Sequence, residues 1–350
     1  MSILKGKNLN LEILGESHAP EMVVKVKGFP KFTFDSDKLN CFLKRRKASS
    51  SAYSTPRIES DNPIFNGVEN STVDGDFEVV IKNENVKSKD YSELYGKPRP
   101  SHADYAWFLK DGALDFSGGG RFSARLTAPY CVVGGLAKQY LEKNGIYIAS
   151  YIQKVGSVSG KSYLDGDILY EDATNLPSNF PSLTNGDKML EEIERVRAEG
   201  DSVGGIVEVI VYGMKAGVGD NLFEGLEGKI SSLLFSVPAV KGVEFGLGFL
   251  AGSSRGSNFN DELYFDNGKV KLKTNNNGGI NGGISNGFNI TMRVAIKPTP
   301  SIAIEQNTVD LINKENVKIK IKGRHDACVA VRALPCIESA VAMAILDEVL

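Results

Sequence analysis

Three consecutive glycines, Gly118 to Gly120, set just before a helix-like run, constrain this chain more than any other feature. They lie in the stretch Arg99 to Ala128, RPSHADYAWFLKDGALDFSGGGRFSARLTA, which also holds His102 and the one tryptophan, Trp107. Each glycine costs about 1 kcal/mol relative to alanine in a helix interior, so the triplet must form a turn. Ser123 to Tyr140 then has helix-forming spacing. A glycine-rich turn entering a helix lets backbone N–H groups converge on an anion, and the helix dipole favours negative charge there. Arg121 and Arg125 add fixed positive charge and paired donors. The stretch reads either as a phosphate or carboxylate site with a titratable histidine nearby, or as a surface loop capping an ordinary helix.

Composition narrows the partners. A net charge of −2 over 350 residues supplies no global attraction for nucleic acid or an anionic membrane, so local arginine clusters must hold any anionic ligand. No apolar run approaches a membrane span, and the N-terminal residues carry no signal-peptide pattern. Cys41, Cys131, Cys328 and Cys336 are scattered without zinc-ligand spacing, as expected of free thiols in a reducing cytoplasm. No metal site is expected.

Taken in order, Asn8 to Val26 reads as two short strands around a break at Gly15 to Pro20, placing Ser17 and His18 on a turn. Adjacent side chains on a strand point apart, so this pair is not a nucleophile and its base. Lys38 to Lys47 reads as a helix ending in the basic run Lys44 to Lys47, either a solvated face or part of an anion-binding loop. Residues 58 to 86 are β-rich, Ile146 to Ile152 and Ile206 to Val211 are strand-like, and Asp187 to Glu199 is an amphipathic helix. GSVSGKS at Gly156 to Ser162 has one residue too few for a Walker A loop. GLGFLA at Gly246 to Ala251 fits a dinucleotide fingerprint, but polar loop follows where a helix is required, so a Rossmann domain is rejected. Asn275 to Gly287 is a second glycine cluster and must be a loop, folded tightly rather than floppy. Val331 to Leu350 is a long apolar helix interrupted near Pro335.

All three histidines, His18, His102 and His325, fall in polar turns rather than apolar periodic segments. Together with Arg45, Arg46, Arg121, Arg125 and Arg324 they suggest acid–base chemistry on a phosphorylated, polyanionic small molecule. The blocks GESHAP, RPSHADY, GGGRFSARLTA, DSVGG, KGVEFGLGF, RGSNFNDE, NNGGINGGISNG, KPTPS and GRHDACVAVRALPCIE occur in this order between residues 15 and 338. Each is weak alone; in this order they resemble the signature blocks of the chorismate synthase family.

That resemblance implies conversion of 5-enolpyruvylshikimate 3-phosphate to chorismate, with loss of phosphate and a ring proton, in the shikimate pathway of aromatic amino-acid biosynthesis. It implies a requirement for reduced FMN although the reaction is redox-neutral. The implied fold is an α/β (α+β) sandwich, one domain over residues 1–350 with helices packed between two antiparallel sheets. A cytoplasmic homotetramer served by an external flavin reductant is implied as well. By matching positions, His18 is implied to protonate the departing phosphate, His102 to sit by the flavin ring and protonate it, and Asp326 to act with the flavin in removing the proton. Ser17, Arg46, Ser123, Arg125 and Arg324 match substrate-gripping positions. Arg46, Arg121, Phe122, Ser123, Pro238, Ala239, Gly282, Lys297, Pro298, Thr299, Pro300, Ser301 and Arg324 match cofactor-binding ones.

The chain departs from the family pattern at five positions. Ala19 and Ser101 stand where glycines are usual, Leu126 for a glutamate, Ala52 for an arginine and Ala327 for a proline. Two other readings accompany the lyase: a non-catalytic or weakened FMN- or phosphoshikimate-binding relative, and a bifunctional enzyme that reduces its own flavin with NADPH. The second is disfavoured because no nicotinamide fingerprint or added domain is present.

Overall fold

The computed structural model describes residues 1–16, 19–47, 60–83, 94–116, 119–321 and 326–350. The first half of the chain builds one sheet. Strands β1 (Ser2–Lys5), β2 (Asn10–Leu14) and β3 (Glu21–Thr33) precede helix α1 (Ser36–Lys44), and β4 (Ile64–Asn66) and β5 (Thr72–Lys82) follow it. These strands pair antiparallel in the order β1-β2-β3-β5-β4. Alternation sets the faces: Met22, Val24 and Val26 on β3 are buried while Lys25 and Lys27 point to water. Gly15 marks the expected break between β2 and β3, at φ +100°.

After α2 (Asp104–Asp111) and α3 (Thr127–Lys143) comes the second sheet. β6 (Tyr147–Val155) and β7 (Val158–Ser159) form a hairpin where the rejected Walker-like loop begins. Helices α4 (Tyr170–Thr174) and α5 (Gly186–Ala198) lead to β8 (Gly205–Tyr212), then α6 (Leu226–Ser236) and β9 (Val240–Phe245). The one-turn helix α7 (Gly256–Phe259) and hairpins β10 (Leu263–Asp266)/β11 (Lys269–Leu272) and β12 (Ile280–Asn281)/β13 (Ile284–Ser285) precede β14 (Ile290–Ile296). A last hairpin, β15 (Gln306–Asp310)/β16 (Glu315–Ile319), comes before α8 (Ala330–Val349). The second sheet is also antiparallel, ordered β7-β6-β8-β14-β9.

Between the sheets lies the helical layer. α3 packs on β3 and β5 and against α1, while α8 packs on β6 and β8 and against α3 and α6. One apolar cluster joins the inner faces of both sheets to these helices. α3 and α8 are buried around almost their whole circumference, as helices must be when apolar residues cover every face. Gly134 and Gly135 make this possible. A Cβ on Gly134 would lie 2.1 Å from the Ser339 Cβ, and one on Gly135 would lie 2.7 Å from Leu39 Cδ1. The expected sandwich of helices between antiparallel sheets is therefore the observed fold.

Three local expectations change. α8 runs through Pro335 without a break: one hydrogen bond, to the Val331 carbonyl, is forgone, and packing on all sides holds the helix together. The segment after Gly246 is not plain loop, because 3₁₀ turns at Gly248–Ser253 and then α7 follow, with Gly246 and Gly248 both at positive φ. No dinucleotide helix starts there. Asn275 to Gly287 is folded tightly, as expected, but contains the β12–β13 hairpin; Asp261 anchors its start by accepting the backbone N–H groups of Asn276 and Asn277.

Candidate active site

α3 and α8 run side by side in the same direction. Cys131 meets Cys336 and Gly134 meets Ser339, three residues further along each helix. Both N-termini therefore open on the same region, where their dipoles favour an anion. The C-terminal end of α1 arrives there too. The result is a cleft of about 200 Å³ lined by Arg46, Asp61, Ser123, Arg125, Asp326, Arg332 and Pro238, with Ala124, Thr127, Val237, Val329, Ala333 and Cys336 completing the walls.

The basic run at the end of α1 is divided: Lys44 stays in solvent, while the arginines engage the interior. Arg46 is buried, and Arg45 turns inward to Glu338 on α8 with Nη–Oε distances of 2.6 and 3.0 Å. Glu338, 1% exposed, also accepts from Lys138 at 2.5 Å and from Ser150 Oγ at 2.6 Å. Burial alone would raise its carboxyl, but Arg45 and Lys138 hold it down at about 2. This node ties α1, α3, α8 and β6 together and points Arg46 into the cleft. There Asp61 bridges two cations, one carboxylate oxygen on Arg46 and the other on Arg125. Burial opposes ionisation of Asp61, and the two guanidinium groups overcome it and lower its carboxyl. Arg125 Nε also donates to Asn83 Oδ1 at 2.9 Å, and Ser123 Oγ caps the turn by accepting from Arg125 N.

Asp326 lies just before α8, and Arg332, one and a half turns on, donates to both its carboxylate oxygens at 3.0 and 2.8 Å. Arg332 Nε also donates to the Arg46 carbonyl, linking the two walls. Lys297 to Ser301 crosses from here towards His102. Thr299 Oγ1 donates to the Asp326 carbonyl at 2.7 Å, and Lys297 Nζ to the Ser101 carbonyl at 2.6 Å. The Lys297 backbone N–H donates to Ala239, a non-glycine residue held at φ +73° beside Pro238.

His102 sits in the turn before α2. Its Nδ1 donates to Asp104 Oδ1, which leaves Nε2 as the nitrogen that can exchange a proton. Asp104 is clamped by Arg99 through Nε at 2.7 Å, Nη2 at 2.8 Å and the backbone N–H at 2.9 Å. Burial would raise the Asp104 carboxyl, yet the bonds from Arg99 and His102 hold it at about 2. Trp107 on α2 carries the Arg121 guanidinium over its ring at 4.6 Å and meets the Phe122 ring edge-on at 5.5 Å. The half-exposed Phe122 and Arg121 thus stand on the His102 side, while Arg125 faces Asp326.

Ser17, His18, Ala52, Gly118, Arg324 and His325 lie outside the described residues. Gly282 is at the tip of the β12–β13 hairpin, which packs on Val218 and Leu226 rather than on the cleft residues. Sequence reasoning missed Asp61, Asn83, Asp104 and Arg332. Asp104 and Arg332 lie within the RPSHADY and GRHDACVAVRALPCIE blocks and could have been read with them. Asp61 and Asn83 carried no signal beyond a polar turn and a strand end. Among the departures, Leu126 packs against the main core, Ala327 is buried with its carbonyl accepting from Val203, and Ser101 sits at φ +58°.

The chorismate synthase family model matches residues 9–350. A chorismate synthase of Korarchaeum cryptofilum is 42% identical over 99% of this chain and 96% of its own length. That of Pyrococcus abyssi is 42% identical over 99% and 97%, and that of Dehalococcoides mccartyi 37% over 99% and 96%. A crystal structure of chorismate synthase superposes with a TM-score of 0.74 at 24% identity, covering 99% of this chain and 92% of the other. The chain belongs to the chorismate synthase family.

Proposed function

We propose that this chain eliminates phosphate and a ring proton from 5-enolpyruvylshikimate 3-phosphate to give chorismate, and that the cleft between α1, α3 and α8 is where it does so. The observation that carries this is the convergence of Arg46, Arg125 and Arg332 with two helix N-termini in one cleft, where Asp61 holds the first two and Asp326 pairs with the third. Preorganised cations stabilise charge as it develops on a leaving phosphate. Arg46 and Arg125 grip substrate anions, exchanging part of their contact with Asp61 for the ligand. Asp326 accepts the ring proton, oriented by Arg332. Ser17 and Arg324 complete the grip, and His18 protonates the departing phosphate.

The residues fit reduced FMN. A polyanionic cofactor needs cations and an apolar plane, and the Arg121–Trp107–Phe122 cluster offers both beside His102. Lys297 to Ser301, Pro238 and Ala239 form the continuous wall between that cluster and Asp326. When bound, reduced FMN lends electron density transiently while phosphate departs. His102, held by Asp104, presents its proton at Nε2. We further assign the working form as a cytoplasmic homotetramer of one-domain subunits, supplied by an external NADPH-linked flavin reductant.

Purified protein, reduced FMN and the enolpyruvyl phosphate, mixed without oxygen, should release inorganic phosphate and chorismate. Folded protein that binds FMN and shows no turnover would sink the reading. Asp326→Ala should lower turnover by roughly 10²- to 10⁴-fold. Arg125→Ala should mainly raise KM through loss of charge-assisted contacts.

A further inference from the structure

α3 and α8 each set a cysteine beneath the cleft. The Cys131 and Cys336 sulfurs are 3.6 Å apart, with Cys131 donating. Cys131 is wholly buried, whereas Cys336 forms part of the cleft wall together with Arg46 and Arg332. One turn further along, the close passage of Gly134 over Ser339 holds the helix backbones together, so the sulfurs are neighbours by architecture rather than by chance rotamers. Two thiols on backbones this close can meet the geometry of a disulfide with little movement.

The two sulfurs are unlike. Cys336 is drawn towards the thiolate by the Cys131 donor and by the charges of Arg46 and Arg332. Cys131, deeper and without access to the cleft, is pushed up by burial and keeps its proton. A buried sulfur that lines a cleft and is drawn towards the thiolate, backed by a protonated resolving thiol, is the arrangement of a peroxide-reactive pair.

We propose that Cys336 and Cys131 are a peroxide-modified dithiol site whose product is a disulfide joining α3 to α8 under the cleft. The Cys336 thiolate attacks one peroxide oxygen and breaks the O–O bond; hydroxide leaves and takes up a proton as water, and Cys336 becomes a sulfenic acid. Cys131, giving up its proton, then attacks that sulfur and displaces the hydroxyl as a second water. In sum, two thiols and one hydrogen peroxide give one disulfide and two waters. A small dithiol reverses the reaction by exchange.

The test uses the full chain, hydrogen peroxide and thiol mapping by alkylation, non-reducing digestion and intact mass. Two of the four thiols should disappear with a mass loss of about 2 Da, the Cys131 and Cys336 peptides should be found joined, and dithiothreitol should restore both. Saturating inorganic phosphate should slow the reaction by occupying the cleft. In Cys131→Ser, and in Cys131→Ala as a second variant, Cys336 should gain oxygen without forming a cross-link. Oxidation confined to the exposed Cys41, or a cross-link involving Cys41 or the buried Cys328, would overturn the proposal. The wild-type map alone decides if neither variant folds.

Discussion

Ser101 holds a backbone conformation suited to glycine, φ +58°, while its carbonyl accepts the Lys297 ammonium that ties the His102 turn to the cleft wall. A side chain in this region costs about 1–2 kcal/mol, part of which glycine returns through its freer unfolded chain. Ser101→Gly should therefore raise stability by roughly 0.5–1 kcal/mol in chemical denaturation. An unchanged or lower midpoint would mean that the serine has a compensating contact. Beside it, Asp104→Asn should lower kcat by roughly 10- to 100-fold with little change in KM, because it frees the His102 ring without touching the anion grip. Equal loss in Asp104→Glu and Asp104→Asn would point to a folding role instead. At this scale the sequence singled out residues whose chemistry is written in their own block, such as His102, Arg125 and Asp326, and the fold brings Arg125 and Asp326 to one cleft. It was silent on Asp61, whose importance comes from two arginines 15 and 64 positions away.

The contact of α3 with α8 is the element on which the cleft depends, since it aligns the two N-termini. Gly134→Ala would place a methyl group 2.1 Å from the Ser339 Cβ, so the helices must separate. A loss of roughly 1–3 kcal/mol is expected, with weaker binding of inorganic phosphate as the cleft floor spreads. Gly228→Ala on α6, where an added Cβ meets nothing within 4 Å, is the control and should be neutral or stabilising. Periodicity located β2, β6, β8 and α5 closely, because each carries its own pattern of apolar residues. It misjudged α8 at Pro335, where packing from every side overrides the local preference. It left the basic end of α1 undecided, because the partner that anchors Arg45 is Glu338, 293 residues away.

The whole molecule is held through carboxylates that the fold keeps ionised. Glu338 and Asp104 have folded values near 2, below their usual 4.5 and 3.8. A depressed carboxylate contributes fully above its unfolded value and loses that contribution as pH falls towards the folded one. Stability should therefore fall between about pH 4.5 and pH 2. Glu208, raised by burial, acts in the opposite direction and softens the loss. Thermal melts should show this window, and Glu338→Gln should flatten it while destabilising the protein at neutral pH. A melt unchanged down to pH 2.5 would contradict the assignment. Sheet membership was legible only through family resemblance. Nothing local marks β14 as the partner of both β8 and β9, since strand pairing is chosen across the whole chain.

The position of α8 has a consequence for how the protein comes into being. The ribosome delivers this helix after the strands of both sheets, yet it fills the middle of the sandwich and contacts β6, β8, α3 and α6. Until residues 330–349 emerge, β6 and β8 lack the helix that covers their inner face, and α3 and α6 lack the partner between them. The nascent chain must wait with part of its apolar surface uncovered, and Asp347, accepting the backbone N–H groups of Lys7, Asn8 and Leu9, latches the turn into β2 only once α8 has emerged. Synthesis arrested before residue 330 should leave a protease-sensitive chain, and release of the remaining residues should make it resistant in one step.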